Sequence, residues 1–336
     1  MARIFITGTA GFIGFHLARH LLQAGHTVHG LDGMSSYYDV ALKEGRTAIL
    51  NQMPGFQSSI AQLEDASDVD AAIDACAPEV IIHLAAQAGV RYSLENPRAY
   101  VETNIMGTFN VMEAARRHKV RHLLMASTSS AYGANTEMPF IETMKADHPM
   151  TIYAASKKAT EVMGHSYAHL YDLPTTMFRF FTVYGPWGRP DMAYFKFVRA
   201  ILDGTPIDIY NHGKMYRDFT YIDDLVNGIS LLMDAPPVRP GDGVVPEGDS
   251  LSPVAPHRVV NIGNSQKVPL MEFIEAIEEA LGIKAKRNMM EMQAGDVPAT
   301  WADASLLERL TDYRPQTDIR TGVAEFVRWY REYYEA

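Results

Sequence analysis

A short apolar strand, a glycine-rich turn and a helix open the chain and restrict the folds that it can adopt. Residues 3–7 form the apolar run, glycines follow at positions 8, 11 and 14, and a helical run continues to about Ala24. Glycines at this spacing allow a tight turn, close approach of a diphosphate to the backbone, and close packing of the helix on the strand. Free N–H groups at the helix N-terminus then favour an anion. The candidate dinucleotide-binding residues are Gly8, Gly11, Phe12, Ile13 and Gly14.

A carboxylate ends the second predicted strand. Asp32 follows the apolar segment 27–31 and lies 18 residues after Gly14, where an acidic side chain binds the hydroxyls of an adenosine ribose. The same charge repels a 2′-phosphate, so the expected cofactor is NAD and not NADP. Small residues after a later apolar run, 80–84, would let a cofactor lie close to the backbone, although a simple helix-packing turn is the alternative. The candidates there are Leu84, Ala85 and Ala86.

The alternation of strands and helices predicts the fold class. Apolar runs at 122–126 and 175–181 alternate with helical runs at 104–118 and 154–171. This order is typical of α/β proteins with a doubly wound parallel sheet, the Rossmann arrangement.

The pattern changes after residue 185, where Pro, Gly and aromatic residues become frequent. Residues 1–185 are predicted to form the NAD-binding Rossmann domain, and residues 186–336 mainly a smaller α/β C-terminal substrate-binding domain. Segments around 215–235 and 258–265 are expected to return to the first domain. Turn-forming residues dominate 235–257 and predict a mobile surface loop. Later helices are predicted at 270–281 and 321–334.

Composition narrows the class of partner. The 336 residues carry a formal net charge of −10, which argues against nucleic acid and anionic membranes as partners. The single cysteine, Cys76, excludes an intrachain disulfide framework and a cysteine-based zinc site, and no metal is predicted. No apolar run approaches the ~20 residues of a membrane span. The first residues lack the layout of a signal peptide, so the cytoplasm is the expected compartment.

Tyr153 and Lys157 are four residues apart in a predicted helix, which puts a phenol and an ammonium on one face. The ammonium favours the phenolate, so Lys157 is expected to lower the pKa of Tyr153 from its ordinary value of ~10. A tyrosine with a lowered pKa can take a proton from a hydroxyl and return it. A pair on a solvated helix face is the alternative.

Four consecutive hydroxyl residues, 127–130, follow the predicted strand at 122–126. They would either cap a helix or lie at the carboxyl end of a strand, where ligands bind in an open α/β sheet. In the second case one of these hydroxyls and Tyr153 would hold the same sugar hydroxyl.

Several motifs, in order along essentially the whole chain, resemble the extended short-chain dehydrogenases that modify nucleotide sugars. The resemblance implies the Rossmann fold, a bound NAD and hydride transfer at a sugar carbon. The motifs are the glycine turn 8–14, the hydroxyl cluster before Tyr132-Gly133, Tyr153-x-x-x-Lys157, Arg179–Pro186, Tyr216–Asp224 and Gly295–Asp303.

The resemblance implies a role for each matching residue. Tyr153 would take the proton of the sugar 4-hydroxyl while NAD⁺ takes the hydride from C4. Lys157 would lower the Tyr153 pKa and bind the nicotinamide ribose. Thr128 would be the third catalytic residue and, with Ser129, a substrate contact, although Ser127 and Ser129 stay open as the catalytic hydroxyl. Return of the hydride to the other face of a rotated 4-keto sugar would give the epimer and leave NAD⁺ bound.

Two segments favour one branch of this family. Dehydratases usually carry Thr-Asp-Glu in the hydroxyl cluster, whereas this chain has Thr-Ser-Ser at 128–130, so dehydration is disfavoured. Hexose 4-epimerases usually have Asn where this chain has Thr182. The segment Val183–Met192 resembles the UDP-glucuronate 4-epimerases. A UDP-uronic acid is therefore the implied substrate, interconverted between UDP-glucuronate and UDP-galacturonate.

Arg189 and Thr182 are the predicted contacts of the uronate carboxylate. A guanidinium binds a carboxylate bidentately, and each charge-assisted contact contributes roughly 1.5–3 kcal/mol. A 4-keto uronate is a β-keto acid, and holding its carboxylate as an anion in one orientation opposes loss of CO₂. The alternative is that Arg189 is a loop arginine paired with Asp191.

The resemblance implies further contacts with the nucleotide parts. Arg217 matches a diphosphate contact and Arg91 matches a substrate-loop arginine, with exposed ion pairs as the alternative for both. Gln293 and Asp296 match the later nucleotide-binding segment. Ile60 matches the isoleucine of an Asp-Ile pair that contacts adenine, although this chain lacks the aspartate.

Three other functions stay open at this point. A UDP-glucuronate decarboxylase that forms UDP-xylose and a UDP-hexose 4-epimerase share the same fold. A non-catalytic dinucleotide-binding regulator would be expected to lack Tyr153 or Lys157, and both are present. Relatives usually pair through two helices, so a homodimer is implied, with 104–118 and 156–171 as the candidate helices.

Overall fold

The computed structural model describes residues 1–293 and 296–336. Its strands, numbered along the chain, are β1 (Arg3–Thr7), β2 (Thr27–Asp32), β3 (Phe56–Ile60), β4 (Val80–His83), β5 (His122–Ala126), β6 (Thr175–Phe180), β7 (Thr182–Tyr184), β8 (Ile207–Ile209), β9 (Tyr216–Arg217), β10 (Phe219–Tyr221), β11 (His257–Ile262), β12 (Val268–Pro269), β13 (Arg287–Met289) and β14 (Ala299–Thr300). Its α-helices are α1 (Phe12–Gln23), α2 (Val40–Asn51), α3 (Ala66–Cys76), α4 (Tyr92–Glu95), α5 (Pro97–Ala99), α6 (Thr108–His118), α7 (Ile152–Tyr171), α8 (Ala193–Leu202), α9 (Ile222–Met233), α10 (Leu270–Leu281), α11 (Ser305–Thr311) and α12 (Ile319–Tyr334). A π-helix spans Tyr100–Gly107, and 3₁₀ segments span Ser129–Tyr132 and Tyr210–Gly213.

One parallel sheet organises the molecule. Within the described residues it has seven strands, in the order β11-β6-β5-β4-β1-β2-β3. The strand order reverses at β1, which has β2 on one side and β4 on the other, and this leaves a crevice at the carboxyl ends of β1 and β4. Every residue of β4 and β5 is buried, because helices cover both faces of such a sheet. The predicted doubly wound fold is confirmed.

The second half of the chain builds smaller sheets and returns one strand to the main sheet. Strand β11 lies beside β6, with Val259 opposite Met177. Strand β7 pairs with β10, β9 lies between β12 and β14, and β13 pairs with β8. Phe219 of β10 and Phe273 of α10 stack with ring centroids 4.1 Å apart. A smaller α/β C-terminal part is therefore present, as predicted.

Asp218, buried between β9 and β10, holds three segments of the second half together. One carboxylate oxygen accepts the N–H of Asn264 at 2.8 Å, and the other accepts the N–H groups of Ser265 and Ala302 at 3.0 and 3.1 Å. A carboxylate with three backbone donors fixes its neighbours strongly. The position of Arg217, one residue earlier, is fixed with it.

Two segments differ from a simple helix-or-loop reading of the sequence. The predicted helix at 104–118 is a π-helix, Tyr100–Gly107, continued by α6. The wider turn directs Asn104 inward, where its amide donates to Ser156 Oγ at 3.0 Å and its oxygen accepts the Gln87 N–H at 2.8 Å. Apolar periodicity alone does not reveal a π-turn. The segment 235–257 contains no helix or strand before His257, as predicted, and its mobility stays a prediction.

Across 1–293 and 296–336, no helix combines the length and the apolar character that a membrane crossing requires. Over the same residues, no group of three or more His, Cys, Asp or Glu side chains is placed to hold a metal ion.

Candidate active site

The glycine turn after β1 is built from backbone atoms that approach too closely for side chains. Gly8 adopts the left-handed conformation, with φ of +83°, and its carbonyl accepts the Gly11 N–H at 3.0 Å. A Cβ on Gly14 would lie 2.0 Å from the Gly8 oxygen, so α1 packs against the turn only because this residue is glycine. No side chain caps the N-terminus of α1. Its free N–H groups fit the diphosphate of a dinucleotide.

Thr7 fastens the ends of β1 and β4 together at the crevice. Its hydroxyl oxygen accepts the N–H groups of Leu84 and Ala85 at 3.1 and 3.0 Å, and the hydroxyl is 2.8 Å from His83 Nδ1. Burial lowers the pKa of His83 to about 3, so this imidazole is neutral and structural. Leu84, Ala85 and Ala86 are therefore held along the wall of the cleft, where the sequence predicted a cofactor contact.

Asp32 occupies the position expected for a ribose-binding carboxylate. Its two oxygens accept the N–H groups of Ala10 at 3.0 Å and Met34 at 2.8 Å, and its side chain lines the same cleft as the glycine turn. Lys43 Nζ is 3.9 Å away, which partly compensates the carboxylate charge. These residues fit an adenosine ribose and its diphosphate.

Ile60 is the one predicted cofactor residue that lies outside this cleft. It ends β3, the edge strand of the sheet, and its side chain is 76% exposed. The neighbouring residues Gln62 and Leu63 line the cleft instead. Gln62 and Leu63 are therefore better placed than Ile60 to contact a dinucleotide bound in this cleft.

Tyr153 and Lys157 line the same cleft from the first turns of α7. The helix begins after Thr151, whose side chain accepts the Ala154 N–H at 3.2 Å, a standard N-terminal cap. Lys157 is 3% exposed, and the ring centroid of Tyr100 is 6.0 Å from that of Tyr153. The predicted pair is therefore on an inward face of α7, and the solvated-face alternative is wrong.

The surroundings of Tyr153 differ from the electrostatic prediction. Burial raises the Tyr153 pKa, while interaction with the Thr128 hydroxyl and the charge of Arg189 lower it. Lys157 is not among the groups that shift the Tyr153 pKa. The prediction that Lys157 lowers this pKa is therefore wrong for the protein without its cofactor. Burial also lowers the pKa of Lys157 to about 8, with Glu161 opposing that change. Two adjacent groups of this kind are suited to proton transfer.

The hydroxyl cluster divides into residues with different surroundings. Thr128 and Ser127 border the cleft, but the Ser127 hydroxyl donates to Glu161 Oε1 at 2.7 Å. Ser129 is partly buried at the start of a 3₁₀ segment and is not in the cleft lining. This geometry favours Thr128 over its neighbours as the hydroxyl that faces a substrate.

A buried ion pair supports the hydroxyl cluster from behind. Arg179 donates to both carboxylate oxygens of Glu161, at 2.9 and 2.8 Å. The two side chains are 2% and 3% exposed. Burial alone would raise the Glu161 pKa, but the hydrogen bonds and charge of Arg179 lower it to about 2. Glu161 lies one turn after Lys157, so it links the pair on α7 to Ser127. No pattern in the sequence indicated this role for Glu161.

Arg189 lies in the cleft, but it is also paired within its own loop. Its guanidinium donates to both oxygens of Asp191, at 3.0 and 2.6 Å, and Tyr37 donates to the same carboxylate at 3.3 Å. The predicted alternative, a pair with Asp191, is therefore present, and Arg189 still reaches the lining. Thr182 does not line the cleft, although its neighbours in the chain, 181 and 183, do.

The remaining predicted substrate residues gather outside the cleft lining. Arg91 pairs with Asp296 at 3.4 Å, and Arg217 donates to backbone carbonyls of Tyr216 and Pro298. Burial lowers the Arg217 pKa, and the charge of Asp296 opposes that change. Gln293 is partly buried. Gly295, the first residue of the last motif, lies outside the described residues. Two guanidinium groups with one carboxylate leave a net positive charge that suits a diphosphate.

The Lys157 pKa predicts how the stability of the cofactor-free protein changes with pH. Lys157 releases its proton at about pH 8 when folded and near 10.5 when unfolded. Between these values the unfolded chain binds more protons, so the free energy of unfolding rises with pH by at most about 3 kcal/mol. We expect Lys157→Met to lose this rise. Urea unfolding of both proteins at about pH 7 and about pH 10 measures this rise. If the free energy of unfolding rises equally between the two pH values in both proteins, the assignment is contradicted.

The chain resembles known proteins along its whole length. The model of the NAD dependent epimerase/dehydratase family matches residues 4–245. A probable UDP-glucuronate 4-epimerase of Rhizobium meliloti (strain 1021) is 58% identical over 334 residues, which cover 99% of this chain and 98% of that protein.

Solved structures give the same result for the fold. The UDP-glucuronic acid 4-epimerase of Bacillus cereus, in complex with UDP-glucuronic acid and NAD, has a TM-score of 0.87 and 29% identity, covering 98% of this chain and 99% of that one. The UDP-glucose 4-epimerase of Thermotoga maritima, with UDP-glucose, has a TM-score of 0.85 and 26% identity over the same shares. With the glycine turn and the Tyr153–Lys157 pair in one cleft, the family match means that the chain belongs to the NAD dependent epimerase/dehydratase family.

Proposed function

We propose that the protein interconverts UDP-glucuronate and UDP-galacturonate by epimerisation at C4, through a transient 4-keto intermediate and with NAD kept bound. One observation supports this most directly: Thr128, Tyr153 and Lys157 line the same cleft as the glycine turn and Asp32. The likeness to a probable UDP-glucuronate 4-epimerase along almost the whole chain supports the choice of sugar.

The protein groups perform the proton transfer and hold the sugar. Tyr153 takes the proton from the 4-hydroxyl, and Thr128 accepts or donates a hydrogen bond at the same oxygen. Thr128 and the charge of Arg189 favour the phenolate form of Tyr153, and Lys157 would bind the nicotinamide ribose. Bound NAD⁺ supplies the hydride acceptor at C4 and the donor for its return. When the 4-keto sugar presents its other face, Tyr153 gives the proton back and the epimer results.

The uronate carboxylate is assigned to the end of the cleft that Arg189 lines. Asp191 occupies two donors of the guanidinium, so Arg189 and Asp191 together carry no net charge. Arg189 would therefore recognise the carboxylate through its remaining N–H groups. Thr182 is kept as a proposed second contact, although only its neighbours 181 and 183 line the cleft. A carboxylate held in this way loses CO₂ less readily, because decarboxylation needs the C5–CO₂ bond perpendicular to the ketone plane and a carboxylate free to give up its charge.

Arg189→Ala is expected to raise the KM for UDP-glucuronate about tenfold or more, since one charge-assisted contact contributes roughly 1.5–3 kcal/mol. The share of UDP-xylose among the products should also rise, because the carboxylate is less constrained. Arg189→Lys is the matched control and should recover part of the affinity. Unchanged affinity together with an unchanged product ratio would remove Arg189 from the carboxylate site.

The UDP part of the substrate is assigned to the group of predicted substrate residues that lie around Asp296, outside the cleft lining. Arg91 and Arg217 would bind the UDP diphosphate, and Gln293 and Asp296 would border the nucleoside. Their charges support this assignment, because Asp296 compensates only one of the two guanidinium groups. In this division, residues 1–185 with the returning segments bind NAD, and residues 186–336 mainly bind the nucleotide sugar.

A homodimer is assigned to the surface formed by the π-helix, α6 and α7. This surface exposes large apolar side chains, a composition that marks interaction sites, and a two-fold axis would bury it against the same surface of a second copy. The exposed side chains are Val101, Met106, Phe109, Val162 and Leu170. The cytoplasm remains the proposed compartment.

Product analysis tests the proposed function. Purified protein is incubated with UDP-glucuronate and no added NAD⁺, and the products are identified by proton NMR. UDP-galacturonate is the expected product. UDP-xylose with release of CO₂ would favour the decarboxylase. Turnover of UDP-glucose in a parallel incubation, with none of UDP-glucuronate, would favour a hexose 4-epimerase. No turnover even with added NAD⁺ would favour the non-catalytic regulator.

A further inference from the structure

Helix α2 buries two cations on the side that faces the glycine turn. Lys43 and Arg46 are 5% and 0% exposed and lie three residues apart, so both project from one face of the helix. Lys43 is near Asp32, at 3.9 Å, and donates to Ser35 Oγ at 3.0 Å. Arg46 has no such carboxylate. Among residues 1–293 and 296–336, its guanidinium forms no ion pair within 4.0 Å.

Arg46 instead donates hydrogen bonds to neutral oxygens from two separate segments. One terminal nitrogen donates to the Ala10 carbonyl at 2.8 Å and to the Tyr38 hydroxyl at 2.9 Å. The other donates to the carbonyls of Trp187 and Gly188, at 2.7 and 3.3 Å. Ala10 belongs to the glycine turn and the other two carbonyls precede Arg189. One guanidinium thus connects the two ends of the cleft.

The charge of Arg46 requires an anion. A buried guanidinium bonded only to neutral acceptors is costly, because hydrogen bonds replace its hydration only in part. The diphosphate of the dinucleotide is the anion that this region is built to receive, at the N-terminus of α1 on the turn that contains Ala10. Arg46 lies behind that turn, and the charge of Lys43 is already compensated by Asp32. The cofactor charge therefore compensates Arg46 through the turn without direct contact.

The segment that contains Trp187, at the other end of the Arg46 hydrogen bonds, has an unusual backbone conformation. Trp187 has φ of +59°, which is rare for a bulky residue and persists only where neighbours enforce it. Arg46 binds the carbonyl of this residue, and the indole packs on Phe15 and Tyr333, with ring centroids 5.6 and 4.9 Å away. Arg189 follows two residues later. A shift of Arg46 would therefore move the segment that presents Arg189 to the cleft.

We propose that Arg46 is a positioning residue that couples dinucleotide binding to the segment 187–191, so that bound NAD and the UDP-uronate each increase affinity for the other. Arg46 contacts neither ligand and acts through Ala10 on one side and through Trp187 and Gly188 on the other. The coupling is reciprocal by thermodynamic necessity. This inference rests on the proposed function for the identity of the sugar nucleotide.

Two substitutions separate the charge of Arg46 from its bridging geometry. Arg46→Lys keeps a cation but cannot donate to Ala10 and to Trp187 together, since an ammonium lacks the planar fork. Arg46→Met removes both properties. Arg331→Lys is the matched control, because Arg331 is a partly buried arginine that donates to a backbone carbonyl, that of Leu281, at 3.0 Å. It lies on α12 and takes no part in the cleft lining.

Exchange of bound NAD against radiolabelled NAD⁺ tests the coupling in the full-length holoenzyme. The exchange rate is measured with and without saturating UDP-glucuronate, alongside KM and kcat. In the wild type and in Arg331→Lys, UDP-glucuronate should slow exchange about 5- to 150-fold, the usual range of such coupling. In Arg46→Lys that slowing should largely disappear and KM should rise, while kcat at saturation stays close to wild type. In Arg46→Met exchange should also be faster without substrate.

Each outcome bears on a separate claim. If UDP-glucuronate slows NAD exchange as strongly in Arg46→Lys as it does in Arg331→Lys, the coupling proposal is wrong. If Arg46→Met retains NAD as the wild type does, the charge argument is wrong. If Arg46→Met does not fold, shown by loss of a cooperative thermal transition, Arg46→Lys alone decides. A wild type that exchanges NAD but never converts UDP-glucuronate would instead refute the proposed function.

Discussion

Tyr153→Phe is expected to lower kcat for UDP-glucuronate between about a hundredfold and ten-thousandfold, the range that removal of a general acid–base group produces. The phenylalanine keeps the ring beside Tyr100 but cannot exchange a proton with the 4-hydroxyl. Affinity for the substrate should change little, because the phenol contributes one hydrogen bond among many contacts. A fixed-time assay over a range of substrate concentrations separates kcat from KM.

Tyr171→Phe is the matched control on the same helix. Tyr171 is half-exposed near the end of α7, far along the helix from the cleft, so its loss should leave kcat close to wild type. If Tyr153→Phe retained more than about a tenth of the wild-type kcat, another group would have to move the proton. The Tyr153–Lys157 assignment would then fail.

Arg179→Met is expected to lower the free energy of unfolding by about 3–5 kcal/mol, the cost of leaving one member of a buried ion pair without its partner. Glu161 is 3% exposed, and once Arg179 is removed it keeps a salt bridge with Lys158 at 3.1 Å and the more distant charge of Lys157. Chemical unfolding near neutral pH measures the change. Activity should fall as well, because Ser127 donates to the same carboxylate beside Thr128.

A second substitution distinguishes a lost ion pair from general damage to the core. Arg179→Met combined with Glu161→Met removes both charges and should recover most of the lost stability. Arg98→Met, which breaks the exposed pair with Glu102, should leave stability unchanged within error. If the double variant is as unstable as Arg179→Met alone, the cost comes from packing and the electrostatic explanation is wrong.

Local chemistry made some of the site predictable from sequence. The glycine spacing at 8, 11 and 14 has one structural use between a strand and a helix, because backbone atoms fill the space of each missing side chain. Asp32 could be predicted for a similar reason, since it ends the next strand of the same unit. The spacing of Tyr153 and Lys157 predicted a shared helix face, but only the fold shows that this face is turned inward.

Long-range partners explain what sequence reasoning missed. Arg46 is 141 residues from Trp187, and no periodicity in α2 indicates that its guanidinium crosses to a different segment. The same holds for the way Glu161 connects Ser127 to Arg179. Arg189 was predicted to bind the uronate carboxylate, with a pair with Asp191 as the alternative, and the structure contains that pair. Ile60 lies outside the cleft lining because it ends the edge strand β3 and is exposed, so its contact with the cofactor stays a prediction.

The pKa of Tyr153 shows a limit of reasoning from spacing. A lysine one helical turn away suggested a lowered pKa, but burial raises it and the opposing contributions come from Thr128 and Arg189. Both groups belong to other segments of the chain. The proton affinity of the tyrosine is therefore a property of the assembled cleft.

The most direct test of the account uses UDP-glucuronate with deuterium at C4 and no added NAD⁺. Epimerisation by oxidation and reduction at one carbon returns the same hydrogen isotope, so the UDP-galacturonate formed should carry deuterium at C4 and none at other positions, as seen by NMR and mass spectrometry. Deuterium lost to solvent, or product formed with exchange at C5 instead, would contradict the proposed chemistry at the carbon that Tyr153 faces.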